Sequence, residues 1–91
     1  MMTLLQRTGQ AGTEGKSDIL VTIEPAESGT GVSMELSSPV KHEFGDHIQS
    51  LVYEILKNHD IRDAKVVLND KGALDFAICA RMETAILRAM A

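Results

Sequence analysis

The chain has no tryptophan, one tyrosine and two phenylalanines, so its interior must be filled by Leu, Ile, Val, Met and Ala. It has one cysteine, Cys79, which excludes an internal disulfide. Set among Phe76, Ile78 and Met82, that thiol reads as a buried structural one in a reducing compartment. Positive charge is also scarce. Nine Lys and Arg against thirteen Asp and Glu leave a formal charge of −4, which removes the general electrostatic basis for binding nucleic acid. No stretch approaches the roughly 20 apolar residues that span a bilayer. Residues 1–7 contain neither a long apolar core nor a basic leader. These absences point to a cytoplasmic protein with no nucleic-acid and no membrane partner.

What is present suits one small packed domain. Hydrophobic residues make up 44% of 91 positions, enough for a single core and too many for a disordered chain. Residues 1–17 carry Gly9, Gly12 and Gly15 without lasting periodicity and read as a flexible N-terminal arm, with residues 18–91 forming the domain. Ile19, Val21 and Ile23 alternate with Leu20, Thr22 and Glu24 as a strand. Val32, Met34 and Leu36 repeat the pattern after a reversal rich in Pro, Ser and Gly, which predicts an antiparallel hairpin. Between Glu43 and Lys57 the period becomes helical, with Phe44, Ile48, Leu51, Val52, Ile55 and Leu56 on one side. Ala64–Leu68 reads as a third strand. A second helix follows the turn at residues 69–72, carried by Leu74, Ile78, Met82, Ala85 and Ile86, although Leu74–Ile78 is open to a strand reading. The predicted fold is a small two-layer α+β domain, β-β-α-β-α, with two helices packed on a short sheet.

Four short motifs carry a resemblance over nearly the whole chain: Ala11-Gly12-Thr13, Phe44-Gly45-Asp46, Asn69-Asp70-Lys71-Gly72-Ala73-Leu74-Asp75, and Ala80-Arg81-x-Glu83. On these residues the chain resembles the citrate lyase acyl carrier (gamma subunit) family. The resemblance implies a subunit that catalyses nothing alone. It implies a covalently attached, phosphopantetheine-like group, phosphoribosyl-dephospho-coenzyme A, whose thiol carries acetyl and citryl thioesters while citrate is cleaved to acetate and oxaloacetate. The implied partners are the alpha (transferase) and beta (lyase) subunits and a prosthetic-group transferase. In that family a serine two residues before the Asp opening the first strand forms a phosphodiester with the group. Asp18 matches that Asp, but Lys16 stands at the ungapped match to the serine and Ser17 follows it. The implied attachment residue is therefore Ser17, with Thr13 as a substitute and an unmodified chain as open alternatives. Lys16, Asp18, Lys71 and Arg81 are the candidate contacts to partner or cofactor.

Other polar residues read more plainly. His42, His47 and His59 lack metal-ligand spacing and suit surface or capping roles. Asp46 is expected to cap the main helix with Phe44 packed beneath it. Asp70 suits a turn, Asp75 the start of a helix, and Gly72 a positive φ. Arg81 and Glu83 suit a solvated face. Competing functional readings are the carrier of a malonate decarboxylase and an unmodified interaction module.

Overall fold

The computed structural model describes residues 2–91; Met1, part of the expected arm, lies outside them. Strands β1 (Gly9–Gly12), β2 (Ile19–Pro25) and β3 (Val32–Ser37) precede helix α1 (Lys41–Asn58), strand β4 (Ala64–Asp70) and helix α2 (Asp75–Met90). The sheet order is β1-β2-β4-β3. β1 and β4 each pair antiparallel with β2, and β3 pairs parallel with β4. The two-layer α+β architecture is the one expected, with one strand more.

The core follows from alternation. Ile19, Val21 and Ile23 of β2 face the helices with Ala64, Val66 and Leu68 of β4, and all six are buried. Val52, Leu56, Ile78, Met82 and Ile86 close over them from α1 and α2. Spacings of three and four residues give each helix one apolar stripe, and Glu43 in the first turn of α1 and Lys57 in its last complement the helix dipole.

Three sequence expectations are corrected. β2 and β3 do not form a hairpin, because β4 lies between them. β4 buries its inward row completely and takes the centre, whereas β3 buries only Leu36 and serves as an edge. The connection through α1 is the long crossover that parallel neighbours require. Second, residues 9–12 of the expected arm are strand β1, so the boundary drawn at residue 17 falls inside a β-hairpin. Third, α1 opens at Lys41, not at Phe44. Val40 precedes it without a side-chain cap, and Asp46 is an exposed second-turn residue. Phe44 is 54% exposed instead of packing beneath Asp46. Leu74–Ile78 contributes no strand, since α2 starts at Asp75.

β1 lies close against α2 because its residues are small. A Cβ on Gly9 would collide with the Ala85 carbonyl oxygen and lie 2.7 Å from the Ala89 nitrogen, both of which belong to helix backbone. Backbone cannot rotate aside, so Gly9→Val is expected to destabilise the fold by about 3 kcal/mol, at the upper end for overpacking. Urea denaturation of the variant against the parent measures it.

Candidate functional site

β1 and β2 are joined by residues 13–18, which meet the end of β4 at one end of the sheet. The Ser17 N–H donates to the Lys71 carbonyl and the Lys71 N–H to the Asp18 carbonyl, both at 2.9 Å. Ser17 sits at φ 64, in the left-handed region that non-glycine residues adopt at a cost of about 1–2 kcal/mol. Its side chain is exposed, and its hydroxyl makes no hydrogen bond among the described residues. Lys16 beside it is exposed as well.

Asp18 anchors this tip. Its carboxylate accepts hydrogen bonds from Thr13 Oγ1 at 2.8 Å, from its neighbour Ile19 N–H at 2.8 Å, and from Arg81 Nε and Nη2 at 3.1 Å each. Thr13 Oγ1 also accepts the Gly15 N–H at 3.1 Å, and Asn69 of β4 donates to the Glu14 carboxylate. Gly12, at φ 94, brings the chain onto the Ile19 carbonyl, where a Cβ would collide. The glycines thus make a tight hairpin whose tip is presented and whose base is fixed.

Arg81, then Thr13 and Ile19, hold the Asp18 carboxyl down from an ordinary 3.8 to about 2. The folded state favours the ionised form. Its contribution to stability is therefore full above about pH 4, declines as pH falls from 3.8 towards 2, and is absent below. Arg81→Ala removes the largest cause. Its Asp18 is expected to titrate closer to 3.8 by carboxyl NMR, with a shallower loss of stability over that window.

The turn at residues 70–73 joins β4 to α2. Gly72 adopts φ 89, as its position in the turn demands. Asp70 continues the core-facing row of β4 and is 1% exposed. It accepts a hydrogen bond from Ser38 Oγ at 2.7 Å and one from Ala73 N–H at 2.9 Å. Asp75 instead lies at the surface, where His47 Nε2 approaches its two carboxylate oxygens at 2.8 and 3.0 Å. Asp70 and Asp75 thus occupy separate environments and make no acid–base pair.

Between the N-terminal parts of α1 and α2 lies a pocket of about 410 Å³, lined by Val40, Phe44, His47, Gly72, Leu74 and Asp75 among others. Its size falls in the range of small-molecule sites. Cys79, on α2, is half-buried and not fully enclosed, and Phe76 nearby is 73% exposed. Burial, then the carboxylates of Asp75, Glu83 and Glu54, push its thiol up, which disfavours a reactive thiolate. Among the described residues no group of three or more His, Cys, Asp or Glu side chains is placed to hold a metal. No helix there is long and apolar enough to cross a membrane.

Of the residues singled out in the sequence, the fold brings Lys16, Ser17, Asp18, Lys71 and Arg81 to one end of the sheet. Arg81 is committed to Asp18 by two hydrogen bonds, and Glu83 lies 3.6 Å from His59; neither is simply solvated. Sequence reasoning missed Thr13 as a partner of Asp18, the His47–Asp75 contact and the pocket. The Thr13–Asp18 contact is local but depends on how the loop closes, whereas His47 and Asp75 are brought together only by the fold.

A sequence family described as "ACP: Malonate decarboxylase delta subunit (MdcD)" matches residues 6–89. The citrate lyase acyl carrier protein of Fusobacterium nucleatum subsp. nucleatum is 41% identical over 86 residues, covering 94% of this chain and 90% of that protein. That of Rhodopseudomonas palustris is 45% identical over 84 residues, covering 92% and 84%. The fold also matches a chain in the crystal structure of a Pseudomonas malonate decarboxylase hetero-tetramer in complex with malonate. The TM-score is 0.70 at 17% identity, over 94% of this chain and 87% of that one.

Proposed function

The chain belongs to the acyl carrier family shared by citrate lyase and malonate decarboxylase, and from that premise we propose that it is the acyl carrier of a citrate lyase, loaded at Ser17. As a member of this family it is a non-catalytic carrier subunit of a multienzyme complex. The observation that carries the proposal is the Ser17 hydroxyl, exposed and without a hydrogen bond among the described residues, on a hairpin tip whose base is held by Asp18 and Arg81.

The residues suit a phosphodiester-linked, coenzyme A-derived group. Ser17 would supply the ester oxygen. Lys16, next in sequence, and Lys71, paired across the strands, would offset the phosphate charge. Asp18 and Arg81 would act indirectly by holding the tip. Beyond Gly72 and its two chain neighbours, no atom of the described residues lies within 4 Å of where a Gly72 Cβ would stand, which leaves room beside the tip for a bulky substituent. The group would supply a thiol that carries acetyl and citryl as thioesters. The protein would hold that thiol at high effective concentration near the active sites of the alpha and beta subunits. The cytoplasm is the proposed location.

The family's description favours a second reading, a malonate decarboxylase carrier. The 41% and 45% identities to citrate lyase carriers outweigh it. Reconstitution decides. The loaded chain, mixed with citrate lyase alpha and beta subunits freed of their own carrier, is expected to restore citrate cleavage. Restoration only of malonate decarboxylation, with decarboxylase subunits, would contradict the proposal.

A further inference from the structure

We infer that the pocket between α1 and α2 seats the purine base of the group attached at Ser17. The inference rests on the carrier reading and adds a binding site to it. Three observations support it. The pocket lies beside the attachment residue: Gly72 in its wall follows Lys71, whose carbonyl accepts the Ser17 N–H. In phosphoribosyl-dephospho-coenzyme A two ribose rings lie between the attached phosphate and the purine, whereas the pantetheine lies beyond a further diphosphate. The purine therefore comes within reach of this pocket before the pantetheine does.

The lining also fits a flat heteroaromatic base. Phe44 is 54% and Leu74 65% exposed, which leaves two apolar surfaces uncovered in the lone chain. A base stacked on an aromatic face gains about 1–3 kcal/mol in single-stranded nucleic-acid complexes. At the same wall, the Asp75 carboxylate and His47 imidazole offer hydrogen-bonding partners to the edge of a base. Charge distinguishes the portions of the group. The Asp75 carboxylate tolerates a neutral purine and repels a diphosphate at close range. Seating the base anchors the inner part of the arm and leaves the thiol end outside, where partner active sites can reach it.

NMR of the loaded chain, with loading established by intact mass, tests this. The purine H2 and H8 protons are expected to show Overhauser contacts to the Phe44 ring and Leu74 methyls, with lines as broad as those of the protein. Phe44→Ala, taken as the fraction that intact mass shows to be loaded and circular dichroism shows to be folded, should release the base, narrowing those lines to the widths of the free cofactor. Phe76→Ala, outside the pocket lining, should leave the contacts unchanged. Narrow purine lines without protein contacts in the loaded parent would overturn the inference and leave the carrier reading standing. A chain that accepts no group from transfer machinery active on a control carrier would overturn both.

Discussion

Ser17→Ala is expected to abolish loading of the prosthetic group and leave the fold essentially unchanged. The exposed hydroxyl makes no hydrogen bond among the described residues, so its removal should alter stability by no more than about 0.5 kcal/mol. The main-chain bond from Ser17 N–H to Lys71 does not depend on the side chain. Alanine also pays much the same cost at φ 64 as serine. Loading should nevertheless fall to nothing, because the substitution removes the oxygen that would form the phosphodiester. Thr13 is a poor substitute: its hydroxyl donates to Asp18 and accepts from Gly15, and freeing it would dismantle the base of the hairpin. Intact mass after exposure to the transferase measures the result. Undiminished loading of Ser17→Ala would contradict the assignment.

Asp70→Ala should destabilise the fold by about 3 kcal/mol. The side chain is 1% exposed and is the only buried charged residue type among the described core. One oxygen accepts from Ser38 at the end of β3, the other from Ala73 in the turn before α2. Hydrogen bonds to charged groups contribute about 1.5–3 kcal/mol each, and truncation also leaves both donors without their acceptor. Ser38 Oγ in turn accepts the Val40 N–H at 3.2 Å, so the same carboxylate fixes the entry to α1 and the entry to α2, the two sides of the pocket. Asp70→Asn should cost about 1 kcal/mol, because its carbonyl can still accept from Ala73 and the Ser38 hydroxyl can turn to accept from the amide. Urea denaturation compares the two. An Asp70→Ala chain within 0.5 kcal/mol of the parent would show that the clamp is not needed.

Much of this fold is legible in the sequence where the physics is local. The alternation at Ile19–Ile23 and the helical stripe from Ile48 to Leu56 each settle an element and its buried face. Gly72 and Asp70 announce their turn. β1 is less visible, because Gly-Gln-Ala-Gly contains no branched residue and is chosen for its thinness against α2. The place of β3 depends on competition with β4 for the centre of the sheet, a long-range choice that a short loop after β2 does not decide. The site divides in the same way. Ser17 and Asp18 are suggested by resemblance, with Lys16 displacing the expected register. Thr13 becomes a partner of Asp18 once the β1–β2 connection closes, and Arg81 only once that hairpin meets α2. His47 and Asp75 come from different helices and meet in the pocket lining.

The central claim is that a coenzyme A-derived group is carried on Ser17. Its most direct test is intact mass followed by peptide mapping of the unaltered chain, made together with cofactor-transfer machinery shown to be active on a control carrier. The account predicts one phosphoribosyl-dephospho-coenzyme A adduct, localised to Ser17. An unmodified chain under the same conditions, or an adduct placed on another residue, would contradict it.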